Sequence, residues 1–195
     1  MSQTVFEKNF DMLKESMNTA TEEHFSCAEE CIRMTGDAFR NGNKLLLCGN
    51  GGSASTASHI TNDFVGHMKN WEREGYPAIA LTADISVLTA LSNDYGFDYV
   101  FSKQVSALGR EGDILWAFSV SGNSANVIEA VKAAKEKKMK VVLFTRKSSG
   151  KLNAMVDLCI PVNTDDFMTA EALHLFYVHS IAESIEAELT PLNKK

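Results

Sequence analysis

The sequence is short of several things at once. Its 195 residues include four cysteines, three prolines and two tryptophans. Cys27, Cys31, Cys48 and Cys159 are scattered along the chain. Cys27 and Cys31 stand four apart within a helical pattern, but no second Cys or His pair completes a zinc ribbon. A disulfide scaffold is therefore excluded, and reduced core thiols in a cytoplasmic protein are expected. Pro77, Pro161 and Pro191 all fall outside helical patterns. No apolar run approaches the roughly 20 residues of a membrane span. The first residues mix Glu7, Lys8, Asp11, Lys14 and Glu15 among apolar ones, so no secretory signal is read there and no membrane partner is expected. A basic excess is also missing: 19 Lys and Arg face 25 Asp and Glu, for a net charge of -6. That balance argues against a nucleic-acid groove. It does not exclude a small anion, because backbone N–H groups at a helix start hold a phosphate without lysines.

What remains is ordinary for a single folded domain with a modest appendage, at 45% hydrophobic and 23% charged residues. Two helical patterns come first. Residues 4–17 place Phe6, Phe10, Leu13 and Met17 on one face, and residues 20–40 carry Phe25, Ala28, Ile32 and Phe39. From residue 44 the rhythm changes. Apolar runs at 44–48, 77–81, 113–119, 140–145 and 157–162 lack polar alternation, which suits strands buried on both faces of a parallel sheet. Helical patterns at 52–67, 86–92, 97–108, 124–138 and 167–189 separate and follow them. This order predicts a doubly wound α/β domain over 44–195, preceded over 1–43 by a helical hairpin. The hairpin's apolar faces need covering, which points to an oligomer.

Two turns each follow a predicted strand and open a predicted helix. One is Cys48-Gly49-Asn50-Gly51-Gly52-Ser53; the other is Ser119-Val120-Ser121-Gly122-Asn123-Ser124. The first matches neither the dinucleotide fingerprint nor a Walker A loop. Glycines let the backbone approach a ligand, serines add hydroxyl donors, and each helix start adds partial positive charge. The pair suits a phosphate monoester with a polar tail, the alternative being two tight turns with capping serines.

His59 and Asp63 lie four apart on the helix that the first turn opens, a spacing open to metal chelation or to an acid–base couple. The closing helix carries Glu171, His174 and His179. Glu171 and His179 lie about 12 Å apart along the axis, too far for one ion to take both from one helix. If both act at one centre, one would come from another chain. His67 and His174 fit core histidines best. Asn93 and Asp94 lie in Ser92-Asn93-Asp94-Tyr95-Gly96-Phe97, read as a polar turn between helices, with Asp94 either a turn former or an acceptor for a substrate hydroxyl. Lys132, Lys135, Lys137, Lys138 and Lys140 read as a solvated face.

These segments, with Ala125-Asn126-Val127 after the second turn, resemble the sugar isomerase (SIS) domain, and within it the phosphoheptose isomerase branch. The resemblance covers nearly the whole chain. It implies a three-layer αβα sandwich with a five-stranded parallel sheet, and a homotetramer with sites at subunit interfaces. It also implies aldose–ketose isomerisation of a sugar phosphate in heptose biosynthesis. Ser119, Val120, Ser121 and Ser124 would bind the phosphate, with Asn50, Gly51, Gly52, Ser53, Asn93, Asp94 and Glu171 also facing substrate. Asp63 and His179 would move the proton. His59, Asp63, Glu171 and His179 match positions that can hold zinc. The chain departs from the family pattern mainly at the catalytic end: Asp63 stands for the usual Glu, His67 for Arg, Met168 for Asp and Glu171 for Gln. At the phosphate end Val120 stands for Thr. Asp63 and Glu171 together would favour a divalent cation more than the usual set. An isomerase of another sugar phosphate and a non-catalytic SIS binding module are the alternatives.

Overall fold

The structure is a computed structural model and describes residues 3–147 and 150–190. Pro191 and the outer ends of the two expected ranges lie outside the described residues. The elements run α1 (Val5–Asn18), α2 (Glu22–Arg40), β1 (Leu45–Cys48), α3 (Gly52–Val65), β2 (Ala78–Ala80), α4 (Ile85–Tyr95), α5 (Val100–Leu108), β3 (Ile114–Phe118), α6 (Ala125–Glu136), β4 (Lys140–Arg146), β5 (Leu158–Val162) and α7 (Phe167–Leu189). Short 3-10 turns precede α5 and β5. The five strands form one parallel sheet in the order β2-β1-β3-β4-β5. The chain adds β2 on one side of β1 and β3 to β5 on the other, so the crevice beyond the C-terminal ends of β1 and β3 is the switch point where such sheets take ligands.

The continuous apolar strands follow from helices on both faces. Leu45, Leu47, Trp116, Phe118, Val142 and Phe144 point to one layer, where they meet Ala57, Ile60 and Phe64 of α3 and Val178, Ile181 and Ile185 of α7. Leu46, Cys48, Leu115, Ala117, Val141 and Leu143 point to the other, against α5 and α6. Each run therefore alternates between two cores rather than between core and water. α2 joins the first layer through Cys31 and Ala38, and its buried Thr35 accepts a hydrogen bond from Trp116 Nε1 at 3.1 Å. α1 buries no residue; it packs on the start of α7 and leaves Val5, Phe6, Phe10 and Met17 exposed.

Local signals set the helix starts. Thr4 and Glu7 form a reciprocal capping box on α1, Asp84 caps α4, and Asp166 caps α7 through Thr169 N–H. One expectation needs correction. Asn93 and Asp94 are not in a turn: α4 continues through them to Tyr95, and Gly96 ends it at φ 92°. Leu88 and Leu91 pack on the second core and carry the helix past its weakly helical Ser-Asn-Asp end. All four cysteines are free, with Cys31 and Cys48 buried. Burial pushes the Cys48 thiol up to about 12 and the Cys159 thiol to about 11, so neither is a ready thiolate. No helix among the described residues is long and apolar enough to cross a membrane.

Candidate active site

The site is built on the two turns that flank the switch point. Gly51, at φ 56°, ends the first turn and opens α3 without a capping side chain. Ser124 opens α6 and likewise makes no side-chain cap to its own helix. Both helix starts thus leave first-turn N–H groups facing the crevice. Ser119 and Val120 are buried, and Ser119 Oγ lies 3.1 Å from Ser124 Oγ. Gly122, at φ 64°, lets the turn close, and Gly122 N–H donates to the Ser119 carbonyl at 3.0 Å. Ser121 Oγ accepts from Asn123 N–H. Behind the turn, Thr145 Oγ1 donates to the Val120 carbonyl at 3.4 Å, and the Thr145 carbonyl lies 3.2 Å from His174 Nε2.

One link between the turns was not legible in the sequence. Asn50 and Asn126 exchange two amide hydrogen bonds of 2.8 Å, so the first turn is latched to the start of α6. Asn126 is buried, and the only signal for it is a helix-averse amide inside the first turn of a helix. Ser53 is buried and packs on Gly49, where a Cβ would come within 2.8 Å of Ser53 Cβ.

His59, Asp63 and His179 meet. The His59 and His179 Nε2 atoms are 2.7 Å apart, and Asp63 Oδ2 lies 3.7 Å from the first and 3.4 Å from the second. At 2.7 Å one imidazole carries the proton and the other accepts it. Asp63 is the shielded member and the two rings are partly open to solvent. A tetrahedral zinc with bonds near 2.0–2.1 Å holds its ligands about 3.3 Å apart, which the two carboxylate distances approach. The imidazoles would open by about 0.6 Å to take an ion. Two histidines and a carboxylate, with a fourth position open, are a donor set that fits a catalytic zinc.

Glu171 is not in this group. Its carboxylate lies over the start of α3, where a Cβ on Gly52 would come within 2.3 Å of Oε2. Within one chain, the structure brings together three members of the expected set, His59, Asp63 and His179. Glu171 stands two turns from His179 on α7, and a carboxylate is attracted to a helix N-terminus. Asn93 and Asp94 are exposed at the end of α4 and bond to one another at 2.8 Å. His67 packs against Trp71 with ring centroids 3.7 Å apart and planes tilted by 36°, and His174 is buried beside Phe144.

The fold and this paired-turn crevice define the class. The family model described as "SIS domain" matches residues 8–146. The chain is 45% identical to a phosphoheptose isomerase of Campylobacter concisus over 81% of this chain and 83% of that one. It is 44% identical to one of Roseiflexus over 94% and 90%. Among solved structures, a phosphoheptose isomerase from Neisseria gonorrhoeae superposes with a TM-score of 0.82 at 39% identity, covering 93% of this chain and 95% of that one. One from Francisella tularensis gives 0.84 at 36% identity, covering 92% and 93%. The chain belongs to the SIS-domain family and, within it, to the phosphoheptose isomerases.

Proposed function

We propose that this protein is an aldose–ketose isomerase of a sugar phosphate, converting sedoheptulose 7-phosphate to D-glycero-D-manno-heptose 7-phosphate in the cytoplasm. The observation that carries the reading is the convergence of two independent halves of a site. The uncapped α6 start with Ser119, Ser121 and Ser124 offers N–H and hydroxyl donors suited to a phosphate. The first turn, through Asn50, Gly51, Gly52 and Ser53, lies beside it, latched by Asn126. The His59, Asp63 and His179 group supplies proton-transfer groups on the helix that this turn opens and on the closing helix.

The chemistry needs one proton to leave C1 of the ketose and one to arrive at C2. Asp63, as base, takes the C1 proton, and the electron pair forms the C1–C2 double bond of an enediol. The C2 carbonyl oxygen gains a proton from His179. His179, now neutral, takes the O1 proton, the protonated Asp63 returns its proton to C2, and the C1 aldehyde remains with both side chains restored. His59, within hydrogen-bond distance of His179, holds that imidazole in orientation. A zinc ion on His59, Asp63 and His179 would, when bound, act as a Lewis acid toward the carbonyl oxygen. Glu171 and Asp94 are assigned to substrate hydroxyls.

We propose that the assembly is a homotetramer, with α1 serving contacts between copies. Phe6, Phe10, Leu13 and Met168 line an apolar groove of about 260 Å³ between α1 and the start of α7. Met168 there suits burial against a second copy better than a charged residue would.

The test is to incubate the purified protein with sedoheptulose 7-phosphate, with and without added zinc, and to follow aldose formation. His179→Ala should lower turnover by about 10²–10⁴-fold while phosphosugar binding persists. Turnover of pentose or hexose phosphates alone would favour another isomerase. Binding without turnover of any sugar phosphate would favour a non-catalytic module.

A further inference from the structure

We propose that Arg73, paired with Glu186, is a positioning residue that sets the spacing between the helix bearing His59 and Asp63 and the helix bearing His179. The two helices are separate in sequence, and a group assembled from both must be held to a fraction of an ångström. The guanidinium of Arg73, in the loop after α3, is almost wholly buried. Its Nη2 donates to the backbone carbonyl of Asp63 at 2.8 Å, and Nη1 donates to the carbonyls of Phe64 at 3.0 Å and Glu74 at 2.9 Å. Its Nε donates to Glu186 Oε1 on α7. One planar side chain thus bonds to the main chain of Asp63 itself and to a residue two turns beyond His179.

Each partner has a reason to be there. The last carbonyls of α3 lack partners within the helix, and α3 has no basic residue in its last turn. Arg73 supplies the missing donors and positive charge. Glu186 also accepts from the N–H groups of Met68 at 2.8 Å, Lys69 at 2.6 Å and Asn70 at 2.9 Å. Burial works against its charge, but these N–H groups and Arg73 outweigh it and hold the carboxyl at about 2. The link is therefore intact at any working pH. A lysine would keep the charge without the rigid fork that spans both helices.

The inference rests on the acid–base reading of Asp63 and His179. A misplacement of about 1 Å at such a site costs on the order of 100-fold in rate. Arg73→Lys is expected to lower kcat by roughly 10–100-fold while KM for sedoheptulose 7-phosphate stays within about threefold. Val105→Ala, in the opposite helix layer, serves as a control of comparable thermal destabilisation and should keep near-normal kcat. Glu186→Gln, which preserves side-chain volume, is measured in parallel and carries the test if Arg73→Lys does not fold. An unchanged kcat, equal shifts in kcat and KM, or an equal loss in Val105→Ala overturns the proposal. If His179→Ala keeps full turnover, the acid–base reading fails and takes this inference with it. If His179→Ala is inactive and the clamp variants are not impaired, this inference alone fails.

Discussion

His174 shows how one residue can tie catalysis-side architecture to pH without taking part in chemistry. It is buried, and its Nε2 faces the Thr145 carbonyl, whose residue in turn supports Val120 of the serine turn. Burial, only partly offset by that carbonyl, lowers its pKa from 6.5 to about 4. The folded protein therefore binds fewer protons than the unfolded chain between those values, and stability falls as pH drops from about 6.5 toward 4. The integrated loss is about 3 kcal/mol. His174→Gln keeps a donor for Thr145 but does not titrate. Thermal melts of this variant between pH 4 and 6.5 should show a much flatter pH dependence than the parent. An identical slope would mean that another group is responsible. The burial of His174 was legible from its place in a helical pattern; its bond to Thr145 was not, because that partner lies 29 residues away.

At the scale of elements, the two strand-to-helix turns were the most legible part of the site. Glycines and serines at the end of apolar runs state their own geometry. Gly49 illustrates the constraint. A Cβ there would lie 2.8 Å from Ser53 Cβ and 2.9 Å from the Ser53 carbonyl oxygen, so the backbone of α3 would have to move. Gly49→Ala is expected to destabilise the protein by about 1–3 kcal/mol, the usual range for overpacking. It should also weaken sugar-phosphate binding, since the same turn carries Asn50 to its latch on Asn126. Denaturant unfolding and a binding titration check both parts. What the local pattern missed was α4's last turn. Ser92, Asn93 and Asp94 have turn-forming side chains, yet tertiary contacts of Leu88 and Leu91 keep the segment helical until Gly96. Of the links between distant segments, Asn50 with Asn126 has only a helix-averse amide as its local trace, and Arg73 with Glu186 has none.

For the whole molecule, α1 is the element whose proposed role depends on another copy. Its Phe6 is 78% exposed, and Met168 beside it is 63% exposed. An apolar surface of this kind is covered in most stable proteins. Sedimentation equilibrium is expected to return four times the chain mass. Phe6→Asp combined with Phe10→Asp should shift the mass downward while the circular dichroism of the α/β core persists, because α1 buries no residue in the single chain. A monomeric mass for the parent protein would contradict the assembly proposed here.

The sequence by itself determined the element order, the parallel sheet buried on both faces, the two ligand-type turns and the identity of the chemically capable residues. These follow from local physics: apolar runs, helical periodicity, capping side chains and glycine at positive φ. Only the tertiary structure decided which of those residues lie together. It brought His59 and Asp63 to His179 across 120 residues of chain and drew Glu171 away to the start of α3. It also buried an arginine–glutamate pair between the two helices concerned. The reason is that spacing along a helix fixes direction, while the distance between two helices is set by everything packed between them.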